Sequence, residues 1–328
     1  GLIVQGSHPV AWCLNDQNAV SQHDTIGDVE PAFNEYVLIK FELDERSLKI
    51  PTATLRPETI YGVTNLWINP TSNYVKIQIN DTKKTKGKEV WIVSEQAARK
   101  LQFLNYDVSI QATITGSTLI GKQVLDPVRH VTIPVYPASF VDPNSGTGIV
   151  MSVPAHAPYD YQALEDLKKD ISVQQEFGLS NLEEVKPITI IGIEDNPEMS
   201  DKSPSQSPNW TAKTNVALSP AAEIIEKYNI KNQFDPHLQI ATNEIYSQEF
   251  YRGTMLGSAG KLAGRNVSEA KEIIKKELLE TQIADLMFEL VDSSVKCRCG
   301  SSCVVKILED QWFLDYGNEH WKELAHQC

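Results

Sequence analysis

Strand-length runs of β-branched and aromatic residues recur along this chain at irregular intervals. They are EYVLIKFEL (35–43), EVWIVS (89–94), HVTIPVY (130–136), GTGIVMSV (146–153), ITIIGI (188–193) and CVVKILEDQWFLDYG (303–317). The sequence contains neither a GxGxxG fingerprint nor a P-loop, the phosphate-binding loops typical of nucleotide-binding α/β folds. The pattern therefore predicts an α+β fold, a mixed β-barrel surrounded by helices, and not a doubly wound sheet.

Three segments carry the signals of helices. SEQAARKLQF (94–103) begins with a serine suited to N-capping, and YDYQALEDLKKD (159–170) has apolar residues at helical spacing. The clearest helix begins after Asn266, because Glu269 follows three residues later, as in a capping box, and apolar residues then repeat on one face. We expect these helices to pack against the sheet and a short helix to follow the last strand.

The composition is that of an ordinary globular protein. Of 328 residues, 41% are hydrophobic and 22% charged, and no apolar run approaches the roughly 20 residues of a membrane helix. The first residues, GLIVQGSHPVAW, lack a basic segment followed by an apolar core, so no secretory signal is predicted. The net charge of −13 argues against a protein that coats nucleic acid, although it is compatible with an enzyme that grips only the end of an RNA.

The cysteine distribution favours a reducing compartment. Three of the five cysteines lie in CRCGSSC (297–303), and the other two are Cys13 and Cys328. A secreted disulfide framework would use more cysteines at tighter spacing in a shorter chain. We therefore expect a cytoplasmic protein.

Two polar segments remain once the familiar catalytic patterns are excluded. The sequence has no GxSxG elbow and no HExxH zinc pair, and no cysteine has the context of a protease nucleophile. TATLRPETIYGVT (52–64) and GTGIVMSVPAHAPYDY (146–161) each place polar groups directly after a strand-like run, where side chains project into clefts. In the second segment, Gly148 lets the backbone approach a ligand, and two prolines stiffen the turn that carries His156 and Asp160.

Residue chemistry alone leaves the roles of these side chains open. Asp160 could hold an ammonium group or orient a water, but it could equally be the N-cap of the helix that follows. His156 could be a hydrogen-bonded turn residue instead of a catalyst. The threonines of the first segment could reflect β-propensity and capping.

The two segments resemble the threonine-rich and aspartate-bearing motifs of the editing insertion in class I leucyl-tRNA synthetases, in particular those of the archaeal and eukaryotic branch. The resemblance extends through HPVAWC, HDTIGDVEP, FYRGTML and EDQWFLDYGNEHWK, and so covers nearly the whole chain. A valyl-type editing domain usually continues as PAHDPND, whereas this chain has PAHAPYD, which favours the leucyl type.

This resemblance implies post-transfer editing, the hydrolysis of the ester between a wrong amino acid and the 3′-terminal adenosine of tRNA(Leu). The wrong amino acid would be isoleucine, methionine or norvaline, and a second sieve is needed because one methylene changes binding by only ~1–3 kcal/mol. The implied partners are tRNA(Leu) and the rest of the synthetase, with no membrane, no cofactor for hydrolysis, and a monomeric chain. The alternatives are a valyl-type domain acting on threonyl-tRNA(Val) and a non-catalytic module that binds the tRNA 3′ end.

The resemblance also divides the chain into two parts. Residues 1–45 and 291–328 are expected to form a β-ribbon that leads to a synthetic core, whose HIGH-like and KMSKS-like ATP signatures are absent from the sequence. Residues 46–290 would form the editing domain, with an exposed Ser/Pro-rich loop at 198–213. The chain is therefore expected to hydrolyse esters but not to activate leucine.

Three residues match catalytic positions of the family. Asp160 matches the aspartate that holds the substrate α-amino group, Thr59 the threonine that blocks leucine, and Thr54 the first threonine, near the ester and its water. Arg56 is expected to support the strand end and to belong to the substrate-binding residues. Ala157 stands where the bacterial motif has a second carboxylate, so we expect direct attack by water, with hydroxyl and N–H groups stabilising the oxyanion.

Four further residues match the substrate-binding part of the family motif. Met151 and Val153 match positions that line the pocket beside the terminal adenosine or the amino-acid side chain. His156 matches a histidine of the bacterial and archaeal members, and Gly148 would bring the backbone close to the substrate.

A metal site is suggested by a separate similarity. HPVAWCLNDQN (8–18) resembles the WCxxC knuckle that precedes the editing insertion in related enzymes, but Asp16 stands at the second cysteine position. If the ribbon holds a closed, structural zinc site, its ligands would be Cys13, Cys297, Cys299 and Cys303. Because CxCxxxC is not a standard zinc knuckle, the sequence favours a metal-free ribbon over this site.

Overall fold

The computed structural model describes residues 2–43, 48–80, 87–193, 219–315 and 317–327. The predicted Ser/Pro-rich loop at 198–213 lies outside these residues. Within the described ranges, no helix combines the length and the apolar character needed to span a membrane.

Fifteen strands and seven α-helices make up most of the regular secondary structure of the described residues. They are β1 (Ile3–Cys13), β2 (Asn18–Val20), β3 (Phe33–Leu43), β4 (Leu48–Thr54), β5 (Asn65–Ile68), β6 (Asn73–Ile79), β7 (Glu89–Ser94), β8 (Val108–Thr115), β9 (Gln123–Leu125), β10 (Thr132–Pro137), β11 (Ile149–Ser152), β12 (Ile191–Ile193), β13 (Gly253–Met255), β14 (Ala284–Leu290) and β15 (Cys303–Leu314). The helices are α1 (Glu95–Phe103), α2 (Pro158–Lys169), α3 (Ile171–Phe177), α4 (Pro220–Lys227), α5 (His237–Arg252), α6 (Val267–Glu280) and α7 (Glu319–Gln327). Short 3-10 helices lie at Gln22–Asp24, Pro57–Gly62, Gly116–Leu119, Leu182–Glu184 and Gly257–Leu262.

Most strands join one ten-stranded mixed sheet, in the order β11-β5-β10-β9-β3-β4-β7-β6-β8, with β14 paired to β3. The β10–β5 and β4–β7 pairs are parallel, and the other pairs of this sheet are antiparallel. Although β5, β10, β9 and β3 separate β11 from β4 in this order, β11 packs against β4. The sheet therefore curls into a barrel-like body, and the predicted α+β fold is confirmed.

Strand β3 lies between two apolar cores. Val37, Ile39 and Phe41 pack into the larger core, which α6 also covers, whereas Leu38 packs into a second core with Trp91. Successive side chains of a strand point to opposite faces, so a strand that is covered on both faces is apolar nearly throughout. This arrangement explains the apolar run at residues 36–39 of β3.

Lys40 follows this apolar run, and its charged side chain is only 3% exposed. Its Nζ donates to Asp285 Oδ2 at 2.9 Å and to Glu89 Oε2 at 3.1 Å, and it lies over the ring of Trp91. Burial opposes ionisation of Glu89, but Lys40 and Lys49 outweigh it and lower the pKa of Glu89 below its ordinary value. One carboxylate from β14 and one from β7 therefore compensate one desolvated ammonium group.

The ribbon is formed by segments from both ends of the chain. β1 and β15 pair antiparallel from Ile3 opposite Leu314 to Cys13 opposite Cys303, and β2 adds a third strand. β3 lies in the middle of the large sheet, although the predicted division placed residues 1–45 with the ribbon. The structure therefore ends the N-terminal part of the ribbon before β3.

The three predicted helices correspond to α1, α2 and α6, and the short C-terminal helix to α7. The Ser94 side chain caps α1 by accepting a hydrogen bond from the Ala97 N–H. Asn266 is the N-cap residue of α6, but in the described structure its side chain accepts no capping hydrogen bond. Glu269 instead accepts a hydrogen bond from Arg265, so the predicted capping box does not form.

Other elements differ from the predictions. Of the predicted runs, ITIIGI forms a strand only over β12 and GTGIVMSV only over β11. The elements without a predicted counterpart include β5, β6, β8, β9, β13, β14, α3, α4 and α5. Most residues of β8 are exposed, so its sequence lacks the alternation of a half-buried strand. α5 includes polar side chains among its buried residues and has no clear apolar face.

Replacing Lys40 with methionine should destabilise the fold by roughly 3–5 kcal/mol, because Asp285 and Glu89 would lose the buried cation that lies between them. Urea unfolding followed by circular dichroism measures the change in the free energy of unfolding. The control is Lys276→Met on α6, where the side chain is 76% exposed, and its effect should be within about 0.5 kcal/mol. Equal unfolding free energies for the two variants would contradict a stabilising role of the buried ion pairs.

Candidate functional site

The threonine-rich segment forms a fixed turn at the end of β4. Thr54 is the last residue of that strand, and the 3-10 helix Pro57–Gly62 follows directly. The Thr54 Oγ1 accepts a hydrogen bond from the Arg56 N–H at 2.9 Å, and the Thr59 Oγ1 donates to the Arg56 carbonyl at 2.7 Å. The two hydroxyls therefore hold both backbone polar groups of Arg56 in place.

The Arg56 guanidinium joins this turn to helix α5. Its Nε donates to Glu58 Oε1 at 3.0 Å, and its Nη2 donates to Glu249 Oε2 at 2.7 Å. The guanidinium also lies over the ring of Tyr246, 4.5 Å from the centroid. Burial by itself disfavours the charged guanidinium, but Glu249 and Glu58 outweigh burial and raise the Arg56 pKa above its ordinary value.

His156 is fully buried and holds three segments together. Its Nε2 accepts hydrogen bonds from the Ile190 N–H at 2.9 Å and the Ile191 N–H at 3.3 Å. Since Nε2 is an acceptor, the proton lies on Nδ1, which donates to Glu249 Oε1 at 2.5 Å. Both ring nitrogens are engaged by the protein, which gives His156 a positioning role in this arrangement.

Asp160 lies inside the first turn of α2, whose N-cap residue is Ala157. The alternative that Asp160 is the N-cap is therefore wrong. Its Oδ1 accepts a hydrogen bond from the Trp67 Nε1–H at 3.1 Å, and its Oδ2 accepts one from the Val153 N–H at 2.7 Å. Burial raises the pKa of Asp160 to about 7, although both hydrogen bonds oppose this increase.

Helix α5 brings the threonine-rich turn and the aspartate-bearing segment together. Glu249 bonds to Arg56 on one side and to His156 on the other, and Tyr246 lies one helical turn earlier on the same face. Burial raises the pKa of Tyr246 to about 12, and the nearby Asp160 carboxylate adds to this increase while Arg56 opposes it. Tyr246 and Glu249 are site residues that sequence reasoning missed, because α5 has no strong apolar periodicity.

The residues matched to the substrate pocket lie on or beside β11. Met151 and Val153 are buried in the larger core. Gly148 has φ +74°, and a Cβ at this position would lie 2.7 Å from the Ser94 Cβ, so a side chain there would be both strained and crowded. Its carbonyl accepts a hydrogen bond from the Tyr74 hydroxyl at 2.8 Å. These contacts explain the glycine by packing, and its role toward substrate stays a prediction.

Three buried polar atoms near these segments have no hydrogen-bond partner in the described residues. They are Glu58 Oε2, Asn65 Nδ2 and Ser152 Oγ. Asn65 and Ser152 face each other in the β5–β11 register, and the Thr64 N–H donates to the Ser152 carbonyl. Buried polar groups are nearly always paired, so the facing Asn65 and Ser152 side chains indicate a place where water or a ligand could bind.

The predicted catalytic side chains lie beneath the surface. Thr54 is 9%, Thr59 3% and Asp160 5% exposed. A cleft of about 220 Å³ opens nearby and does not include them. It is lined by residues that include Tyr36, Ala53, Phe140, Asp142, Gly146 and Thr147. The buried polar groups, and not this cleft, therefore define the candidate site.

Comparisons with known sequences point to one family. Residues 34–186 match the family model described as "Leucyl-tRNA synthetase, editing domain". Over 329 residues, the chain is 40% identical to the leucine–tRNA ligase of Methanothermobacter thermautotrophicus and 41% identical to that of Methanococcoides burtonii. These alignments cover 100% of this chain but 32% and 31% of those proteins, so the chain spans about a third of the curated relatives it matches.

Solved structures show the same architecture. The crystal structure of GlLeuRS-CP1 matches 77% of this chain and 98% of its own length, with a TM-score of 0.62 and 26% sequence identity. The P. knowlesi cytosolic leucyl-tRNA synthetase editing domain matches 78% of this chain and 97% of its own length, with a TM-score of 0.63, and at 18% identity it supports the fold alone. From the sequence and structure comparisons together, the chain belongs to the leucyl-tRNA synthetase editing-domain family.

Proposed function

We propose that this chain hydrolyses the ester bond of mischarged tRNA(Leu) and so removes isoleucine, methionine or norvaline after transfer. The observation that carries the proposal is the buried carboxylate of Asp160. Trp67 Nε1–H and Val153 N–H hold it, and in the part of the chain that the structure describes no lysine, arginine or histidine forms an ion pair with it. A desolvated, oriented carboxylate without its own cation is suited to bind the cation of a ligand.

The α-ammonium group of an aminoacyl ester is the cation that suits Asp160. Burial alone keeps the pKa of Asp160 near 7, so the carboxyl group is about half protonated at neutral pH. An ammonium group brought into contact with it favours the ionised form, because an opposite charge within about 4–6 Å lowers a carboxyl pKa. Substrate binding and ionisation of Asp160 are therefore coupled.

The threonine hydroxyls can provide the polar environment of the ester. Thr54 accepts from the Arg56 N–H, so its own proton is available to donate to a developing oxyanion. Thr59 donates to the Arg56 carbonyl, so its lone pairs are available to accept a hydrogen bond from the attacking water. The water oxygen bonds to the carbonyl carbon and the bond to the ribose oxygen breaks. The ribose oxygen takes up one proton of the water, and the other proton is released when the amino-acid carboxyl group ionises. No covalent intermediate with the protein is formed.

The position of Thr59 accounts for the proposed rejection of leucine. Its side chain is buried and fixed to the Arg56 carbonyl, so it cannot turn away from a larger or differently branched substrate. A hydrophobic pocket alone discriminates one methylene by only ~1–3 kcal/mol, and a fixed steric block adds to that discrimination. We place this activity in the cytoplasm, with the tRNA(Leu) 3′-terminal adenosine and the rest of the synthetase as partners of a monomeric chain.

Asp160→Asn should lower kcat/KM for isoleucyl-tRNA(Leu) about 30-fold or more, since losing one partner of a buried charge pair costs roughly 2–5 kcal/mol. Asp166→Asn on the same helix is the matched control and should keep the wild-type rate, because Asp166 bonds to Gln162 and to the Gln233 N–H. Deacylation of radiolabelled isoleucyl-tRNA measures both. Full activity of Asp160→Asn would contradict the assignment of Asp160 as the ammonium-binding residue. A folded wild-type chain that binds the tRNA 3′ end but does not hydrolyse the ester would favour the non-catalytic binding module.

The pH profile should report the ionisation of Asp160. For the wild-type chain, kcat/KM should rise up to about pH 7, where Asp160 becomes ionised. It should fall again near pH 8, where α-amino groups lose their proton. Asp160→Asn should remove the rise at low pH. A flat profile for the wild-type chain between pH 5.5 and about 7.5 would contradict the proposed coupling.

The raised pKa of Asp160 makes the free energy of unfolding depend on pH. The folded pKa of Asp160, about 7, lies above the ordinary value of 3.8, so the folded state holds its proton at pH values where the unfolded state has lost it. The stabilising contribution is therefore fully present below about pH 4 and declines by about 1.4 kcal/mol per pH unit up to pH 7. Urea unfolding across this range should show a steeper loss of stability for the wild-type chain than for Asp160→Asn. Parallel curves would be inconsistent with a raised pKa.

Thr59 can be tested by separating its bulk from its hydroxyl. Thr59→Ala should open the pocket and permit hydrolysis of leucyl-tRNA(Leu), whereas Thr59→Val, which keeps the bulk, should continue to spare it. Deacylation assays with leucyl- and isoleucyl-tRNA give, for each variant, the ratio of the two hydrolysis rates, which measures the discrimination against leucine. If leucyl-tRNA stays intact with Thr59→Ala, Thr59 is not the discriminator. If the wild-type chain prefers threonyl-tRNA(Val), the domain is of the valyl type.

A further inference from the structure

Four metal-ligand atoms lie together on the ribbon, away from the proposed editing site. They belong to Cys13, Asp16, Cys297 and Cys299, and each atom lies within 4.8 Å of the other three. Cys13 ends β1, Asp16 lies in the turn that follows, and the other two cysteines lie in the turn between β14 and β15. The cluster therefore joins two parts of the chain that are 281 positions apart, as counted from Asp16 to Cys297.

The spacing of these atoms fits one tetrahedral zinc ion. With Zn–S bonds of about 2.3 Å and a Zn–O bond of about 2.0 Å, ligand atoms of a tetrahedron lie about 3.8 Å apart for two sulfurs and about 3.5 Å apart for sulfur and oxygen. The observed separations are 3.4 Å from Cys13 Sγ to Cys299 Sγ and 3.5 Å from Cys13 Sγ to Asp16 Oδ2. Cys297 Sγ lies 3.1 Å from the same carboxylate oxygen.

We propose that the thiolates of Cys13, Cys297 and Cys299 and the carboxylate of Asp16 bind one structural Zn²⁺ ion. This set differs from the four cysteines expected from the sequence, because Asp16 takes the place of Cys303. Cys303 lies opposite Cys13 in the β1–β15 register, but its sulfur is outside the cluster. It packs instead in the small apolar core of the ribbon.

The local backbone supports a closed metal site. The Asp16 N–H donates to Cys13 Sγ at 3.3 Å, which places a positive dipole against a ligand sulfur. The Gly300 N–H donates to the Cys297 carbonyl at 2.8 Å, and Gly300 has φ +90°. This tight turn lets Cys297 and Cys299 reach the same point. Three soft sulfur ligands favour zinc over magnesium or calcium, and four protein ligands leave no position for substrate.

Metal analysis of the whole chain tests the proposal directly. The chain is purified under reducing conditions and analysed by inductively coupled plasma mass spectrometry. It should contain about one zinc ion per molecule. Competition with a zinc-binding dye should show an affinity lowered about 10-fold or more for Cys297→Ser and for Asp16→Ala. Cys303→Ser is the matched control and should keep the wild-type affinity. Circular dichroism confirms that each variant is folded.

Cobalt replacement tests the identity of the fourth ligand without removing the site. Asp16→Cys should raise the sulfur-to-cobalt charge-transfer absorbance by about one third, because four Co–S bonds would replace three. A folded wild-type chain that binds neither zinc nor cobalt would overturn the proposal, as would a Cys13–Cys299 disulfide found by mass spectrometry in place of the metal. Loss of metal from Cys303→Ser together with its retention by Asp16→Ala would equally contradict the proposed ligand set.

Discussion

The ion pair between Arg56 and Glu249 is the contact on which the arrangement of the candidate site depends. Arg56 is held at the end of β4 by two threonine hydroxyls, and Glu249 also accepts the Nδ1 proton of His156. One carboxylate therefore fixes helix α5 to the threonine-rich turn and to the turn that leads into α2. Removing either partner of a buried pair costs roughly 3–5 kcal/mol, and here the loss would also release the two loops from each other.

The charges around this pair explain why Asp160 differs from its neighbours. Glu249 and Glu58 share one guanidinium, and burial raises the pKa of Glu58 although Arg56 opposes this increase. Among the described residues, Asp160 has only neutral donors, so a cation supplied from outside would favour its ionised form. An internal salt bridge therefore organises the site, and under the proposed function the ammonium group of the substrate would add the missing positive charge.

Much of the fold was predictable, because strands buried on one or both faces leave an apolar pattern in the sequence. The site was only partly predictable. Helix α5 carries no such pattern, so Tyr246 and Glu249 were missed. Spacing placed Asp160 near a helix start, but the difference between an N-cap and a residue of the first turn depends on distant donors, Trp67 and Val153, which no local pattern reveals. For the same reason, the spacing of the cysteines could not show that Asp16 joins their cluster.

Calorimetry with two non-hydrolysable ligands tests most directly whether Asp160 recognises the α-ammonium group. One is an amide-linked isoleucyl-adenosine, and the other is its des-amino counterpart. We expect the amino ligand to bind about 30-fold more tightly or better. Protons should also be released near pH 7, seen as a dependence of the binding enthalpy on the buffer, because the ligand drives ionisation of Asp160. Equal affinities for the two ligands, with no proton release, would contradict this role of Asp160.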